Sequence, residues 1–289
     1  MTGFGRFMKH VALSLGALLI LTPMLWLFVS SLKTTPEIIA RPPVWLPGVP
    51  QWHNYLRVFA EIPMLSYYVN SLLVAGSVSL IVLLTSSLAG YALGKFKFPG
   101  RDLIFKGILA TMMIPSILFI IPMYYLMLRV PFAGGNDFAG LGGSGFLHSH
   151  LSLIFPFVVS AWGIFLLRQF FMSVPDDLLS AARIDGCSEF RIYWQVALPH
   201  AKPALATLAI FTFVGQWNSF LWPLVITTSA PELTTVPVGL QMLQVAFNPS
   251  INLHLIFAGI VLGTVPAVIL FLLLQRYYVQ GITLTGLKE

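Results

Sequence analysis

Residues 178–203, "LLSAARIDGCSEFRIYWQVALPHAKP", gather charge, a glycine and a Leu-Pro pair in a chain that is otherwise apolar. The stretch lies between two runs long enough to cross a bilayer, near 151–167 and 204–228. A polar insert held between spans reads as part of an all-α integral membrane protein, and its own signals are helical. In "SVPDDLLSAARIDG" Pro175 falls where the first turn of a helix tolerates it, and Asp176 and Asp177 sit at the positive end of the helix dipole. Leu178, Leu179, Ala182 and Ile184 recur at spacings that predict one apolar face, and Gly186 can adopt the left-handed conformation that ends a helix. A second helix is predicted from Ser188 to Ala197, stopping at Leu198-Pro199 because proline disfavours helical geometry in the residue before it. Small Ala181 and Ala182 would let another protein approach closely, and Asp185 is placed to cap backbone N–H groups beside the glycine. A structured surface loop and a docking knob both fit these signals.

Outward from the insert, 57% of the 289 residues are hydrophobic and 9% charged, against roughly 25% charged in a soluble domain. A span needs about 20 apolar residues at about 1.5 Å each. Six stretches meet that length, near 11–32, 70–94, 105–128, 151–167, 204–228 and 255–275. Backbone groups in hydrocarbon must be satisfied within the segment, so these runs are predicted as helices. The start "MTGFGRFMKH" has the charge of a signal peptide, but the apolar run behind it lacks a clear small-residue cleavage site and is taken as a retained first span. With the N-terminus inside, the segments assigned to the outside hold only Lys33, Arg41, Arg57 and Arg129 of the 16 Lys and Arg. The excess on the other side predicts that both termini and the insert are cytoplasmic. The net charge of +6 is therefore a topology signal, and no nucleic-acid partner is inferred from it.

The remaining motifs exclude more than they assign. One cysteine, Cys187, allows no disulfide within the chain. The glycines of "PFAGGNDFAGLGGSGFLHSH" (131–150) are followed by no Lys-Ser/Thr, and "GYALGKF" (90–96) has one residue too few between its glycines, so neither cradles a phosphate. His148 and His150 lack acidic or cysteine companions, and no metal site is predicted. No nucleophile, base and acid can be brought together, which argues against an integral-membrane enzyme. None of the six stretches holds an ionisable residue away from its ends, which argues against a proton-coupled pump and against an ion-coupled secondary carrier. Gly90 with Gly94, and Gly259 with Gly263, mark faces where helices pack closely, within one subunit or between two. The outer segment 33–69, with "ARPPVWLPGVPQWHNY" (40–55), is predicted as an ordered cap with a helix near 52–60. In "FVGQWNSFLW" (213–222), Gln216, Trp217, Asn218 and Ser219 form an uncharged polar and aromatic set. They suit a pathway for a neutral solute, or equally bonds between neighbouring helices.

The segment "SAARIDGCSEFRIYWQVALP" (180–199) resembles the cytoplasmic EAA loop of ATP-binding-cassette importer permeases, whose pattern runs Glu-Ala-Ala, Asp-Gly, then a hydrophobic run ending in Leu-Pro. Ala181, Ala182, Asp185, Gly186, Leu198 and Pro199 match it, and Ser180 departs from it where the family usually has Glu. "NSLLVA" (70–75), "SSLAGYALGKFKFPGR" (86–101), "WNSFLWPLV" (217–225), "TTVPVGLQML" (234–243) and "QRYYVQGITLTGLKE" (275–289) are similar to the carbohydrate, maltose-type branch. The resemblance implies one transmembrane permease domain over 1–289, with residues 173–203 as the loop that couples to an ATPase. It also implies a second homologous permease subunit, two cytoplasmic ATP-binding subunits and an extracellular or periplasmic solute-binding protein. The chain itself would carry no cofactor and no catalytic chemistry, since ATP and Mg would be bound by the partner ATPase. The expected setting is a bacterial or archaeal cytoplasmic membrane and the expected cargo a sugar or oligosaccharide. Import of a glycerol phosphate ester or a polyol is the nearest rival.

Overall fold

A computed structural model describes residues 3–246 and 249–286, and every regular element among them is helical. Three helices are long and apolar enough to cross a membrane: Phe7–Ser31 within α1 (Gly3–Ser31), α4 (Met64–Lys95), and Asn252–Leu273 within α15 (Pro249–Gly286). Between α1 and α4 lie α2 (Thr35–Ile39) and α3 (His53–Glu61). After α4 come α5 (Arg101–Thr111), a 3₁₀ turn (Ser116–Phe119) and α6 (Ile120–Leu128), then α7 (Leu151–Ile154), a 3₁₀ turn (Phe155–Phe157) and α8 (Ala161–Met172). The insert holds α9 (Asp176–Ile184), α10 (Glu189–Ile192), a π turn (Tyr193–Ala197) and α11 (Leu198–His200). α12 (Lys202–Trp217), α13 (Leu221–Thr227) and α14 (Val236–Ala246) precede α15.

Three of the predicted spans are not single straight helices. The stretch 105–128 bends by 89° between α5 and Ser116–Leu128, and 151–167 belongs to a pair, Leu151–Phe157 and Ala161–Met172, bent by 44°. The stretch 204–228 is interrupted after Trp217, and α12 instead pairs with Glu189–His200 across a 78° bend. The count is three crossing helices, or up to six if each bent pair is one span. Prolines supply much of the reason, because a proline ring clashes with the carbonyl four residues before it. α5 ends at Thr111, four before Pro115, and the gap between α12 and α13 contains Ser219, four before Pro223.

The chain forms two compact units. In the first, Met1–Leu65 with Gly239–Val265, the predicted cap is ordered and α3 occupies the predicted place. Its centre is the fully buried Lys33, whose Nζ donates to Val44 O at 2.6 Å and lies 4.1 Å over the Trp26 ring. Asn54 donates to Ser31 O and Lys33 O, and Glu37 accepts from the backbone of Thr34 and Gly48, so this polar cluster is internally bonded. Gly259 is tight: a Cβ there would come 2.8 Å from Leu240 Cδ2.

The second unit, Ser66–Val238 with Pro266–Glu289, holds the main core, built on Leu167, Phe171, Leu179, Ile192, Leu208 and Ile226. Small residues bring its helices together. A Cβ on Gly90 of α4 would meet Arg168 N at 2.9 Å, and one on Gly163 of α8 would meet Ser86 Oγ at 2.6 Å and Leu208 Cδ1 at 3.0 Å. Gly90, Gly94 and Gly259 therefore mark packing faces within the chain. The Gly-rich segment 131–150 is wound into turns around Asn136, whose Nδ2 donates to Leu128 O and Val130 O while its Oδ1 accepts from Gly143 N.

Candidate coupling elbow and solute groove

α9 begins at Asp176, directly after Pro175, and ends at Ile184. Gly186 has φ of +79°, the left-handed geometry its position predicts. The turn closes with two backbone bonds, Cys187 N to Ala182 O and Gly186 N to Arg183 O, both 3.0 Å. That pattern satisfies carbonyls a helix end leaves orphaned. Asp185 is exposed and its carboxylate makes no hydrogen bond among the described residues, so it is not the cap the sequence suggested. The elbow is braced instead by Arg183, whose Nε donates to Glu189 Oε1 at 2.6 Å. That bond raises the pKa of the Arg183 guanidinium above its ordinary value.

The expected single apolar face of α9 is divided. Leu179 is buried and Ala182 packs on the core, whereas Leu178 and Ala181 are exposed and Ile184 is 86% exposed. Residues three apart share a helix face, so 179 and 182 point inward while 178, 181 and 185 point outward. The second helix does not stop at Leu198-Pro199. It widens into the π turn Tyr193–Ala197 and continues as α11 to His200. An i to i+5 turn relieves the clash that Pro199 would otherwise make with Gln195 O. Leu198 packs against the core and Pro199 is exposed. Ser180 is exposed as well.

The other candidate site lies where the chain breaks. Clefts of about 320 and 280 Å³ share Pro156 and Phe157. The first is also lined by Ser219, Phe220 and Trp222, the second by Trp162, Phe211 and Gln216. Every residue lining either cleft is uncharged. The four predicted pathway residues thus separate. Gln216 and Ser219 line the clefts, and Asn218 is exposed at the break with its N–H on Val214 O. Trp217 turns away: it is 2% exposed, with Phe213 stacked at 5.8 Å and Tyr68 at 6.2 Å. Of the aromatic residues that line the clefts, Phe119, Phe157, Trp162, Phe211, Phe220 and Trp222, none was singled out by the sequence reading. Trp222 is held by a hydrogen bond from Nε1 to Ser152 O at 3.0 Å. Pro156 and Pro223, which flag the breaks, were the available signal. His148 and His150 have separate partners, Glu232 at 3.3 Å and Asn70 Oδ1 at 2.9 Å.

The long apolar helices among the described residues are those of a multi-pass membrane protein. It belongs to the family of binding-protein-dependent transport system inner membrane components, whose pattern its residues 86–284 match. It is 33% identical to the arabinooligosaccharides transport system permease protein AraQ of Bacillus subtilis, over 94% of this chain and 92% of that protein. It is 33% identical to the diacetylchitobiose uptake system permease protein NgcG of Streptomyces coelicolor, over 93% and 84% respectively. It is 32% identical to the sn-glycerol-3-phosphate transport system permease protein UgpE of Yersinia pestis, over 94% of each. Its fold is shared with a chain of a bacterial ABC transporter involved in the import of the acidic polysaccharide alginate, with a TM-score of 0.78, 24% identity and 95% and 96% coverage. The resemblance to importer permeases therefore holds along nearly the whole chain.

Proposed function

We propose that this chain is one of two permease subunits of an ATP-driven importer for a neutral sugar or oligosaccharide. In this reading residues 173–203 lie in the cytoplasm and seat in a separate ATPase subunit through Leu178, Ala181 and Asp185, with Ala182, Gly186, Leu198 and Pro199 holding their frame. ATP and Mg would sit on two such ATPase subunits, a second permease would complete the pore, and a solute-binding protein would deliver cargo to the opposite face. The excess of Lys and Arg in the segments on the elbow's side supports this orientation, with both termini cytoplasmic. The observation that carries the coupling role is the elbow itself: a left-handed Gly186, a closed backbone turn and an outward face of small and apolar side chains.

The uncharged lining of the clefts supports a neutral cargo, since aromatic faces stack on sugar rings and Gln216 and Ser219 offer hydrogen-bonding groups to hydroxyls. A phosphate ester would call for a cation there, and for this reason a sugar is favoured over the cargo named for UgpE. Interrupted spans also occur in ion-coupled carriers, but the breaks beside the two clefts are lined by neutral side chains, which speaks for a driving force supplied by a partner.

Gly186→Val tests the coupling role. No atom lies within 4 Å of the added Cβ, so the cost is backbone strain at positive φ alone. The variant is expected to reach the membrane and to lose ATP-dependent uptake, while Gly186→Asn, which tolerates this conformation, retains most of it. Undiminished uptake by Gly186→Val would remove the coupling role from the elbow. Co-purification of the tagged chain with a P-loop ATPase and a second permease tests the assembly.

A further inference from the structure

One face of α4 grips the elbow at three points. Ser87, Tyr91 and Lys95 follow one another at four-residue spacing and so form a stripe on the last turns of the helix. Ser87 Oγ lies 2.7 Å from Tyr193 OH in the π turn, a buried contact. The Tyr91 ring is 5.3 Å from that of Tyr193 and 5.5 Å, edge on, from Phe171 at the end of α8. Lys95 is only 6% exposed at its side chain, and its Nζ donates to Val174 O and to Asp176 Oδ1, each at 2.6 Å. Both arms of the elbow are therefore fixed to one helix.

The other end of α4 is fastened as firmly. Asn70 Nδ2 donates to Glu232 O at 2.8 Å and Thr234 O at 2.9 Å, and its Oδ1 meets His150 Nε2. Ser71 Oγ accepts from Val236 N at 2.8 Å. From Asn70 to Lys95 the helix carries no proline and no break, a length of roughly 37 Å at about 1.5 Å per residue. Its neighbours α8 and α12 both adjoin breaks.

We propose that α4 is a rigid strut that carries displacement of the elbow across the membrane to the segment 232–236, with Lys95 and Asn70 as the positioning residues at its two ends. This rests on the coupling role assigned to the elbow. A push on α9 or the π turn cannot be absorbed locally, because Lys95 and Tyr193 transmit it to the same helix. The broken helices beside it are then the parts free to change shape around the clefts.

The test uses the assembled transporter, with spin labels on Cys187 in the elbow and on a Glu232→Cys substitution. The Glu232 carbonyl, which Asn70 holds, is kept by that change. The probe is ATP with Mg and vanadate. The label-to-label distance is expected to hold within about 2 Å on trapping, whereas packed elements that slip past one another move by about 5 Å. Lys95→Met is expected to broaden the distance distribution and shift it on trapping, and Lys95→Arg to restore it. Asn70→Ala should loosen the same distance from the other end, and it serves if Lys95→Met fails to assemble. A shift of about 5 Å in the unsubstituted helix, or constancy in both loosened variants, overturns the strut. Failure of the coupling reading shows differently, as a preparation without an ATPase or without ATP hydrolysis.

Discussion

Helix α4 and the pair α12 and α13 are built from equally apolar sequence, yet α4 runs from Met64 to Lys95 without interruption while its counterpart stops at Trp217 and resumes at Leu221. The difference teaches where this chain invests order. α4 is continuous and has Ser87, Lys95, Asn70 and Ser71 fastening other segments. The α12–α13 junction interrupts the helix beside the clefts, which Ser219 and Gln216 line together with aromatic residues. A membrane tolerates such a break only where protein or a cavity covers it.

The sharpest way to break the comparison is at Trp217, which sits at the end of α12 but behaves as core. Trp217→Ala removes a ring packed against Phe213 and Tyr68 and is expected to cost about 3 kcal/mol or more of stability. Thermal unfolding in detergent should show the loss, with Trp217→Phe keeping most of the midpoint. An unchanged midpoint combined with abolished uptake would move Trp217 into the pathway and leave the clefts without their assigned role.

The next effect belongs to α4. Gly90→Ala would press a methyl to 2.9 Å from Arg168 N, a backbone atom that cannot turn aside. Overpacking of this kind costs about 1–3 kcal/mol. At Gly94 the nearest atom is Arg168 O at 3.4 Å, so Gly94→Ala should be close to neutral. Equal midpoints for the two variants would mean that α4 and α8 are not held as tightly as the strut requires.

Much of this contrast was written in the sequence, at different strengths. Gly186 and Gly90 announce themselves, because a glycine at a helix end or on a packing stripe has few other uses. The crossing helices were visible for the same reason as always: apolar length. The breaks were marked by Pro115, Pro156 and Pro223, yet averaging hydropathy over a span runs straight through a proline. Nor does proline decide alone, since Pro23 and Pro266 lie inside helices. The exchange of Trp217 for Trp222 at the cleft was not legible at all. Which of two tryptophans five residues apart faces a cavity depends on the turn between them, and that turn is set by tertiary packing. The same holds for the grip of Lys95 on Val174 and Asp176, a contact between positions far apart in the chain.

The smallest effect sharpens that last contact. The Asp176 carboxyl titrates below its ordinary value of 3.8, first because Lys95 hydrogen-bonds to it and then through the charge of the same ammonium. A pKa depressed on folding gives a stabilisation that is complete above the unfolded value and disappears as pH falls through the lower folded one. The ion pair should therefore be intact from pH 8 to pH 5 and lost only below about pH 4. Asp176 is 82% exposed at its side chain, and Lys95 keeps Val174 O when the carboxylate is gone, so the loss is modest. The difference in unfolding midpoint between the unsubstituted chain and Asp176→Asn isolates it from other carboxylates. That difference should be small and flat from pH 8 to pH 5, then close as the pH drops further. A difference that instead changes near neutral pH would place another titrating group on the elbow, and the end of the strut would no longer be set by Lys95 and its carboxylate.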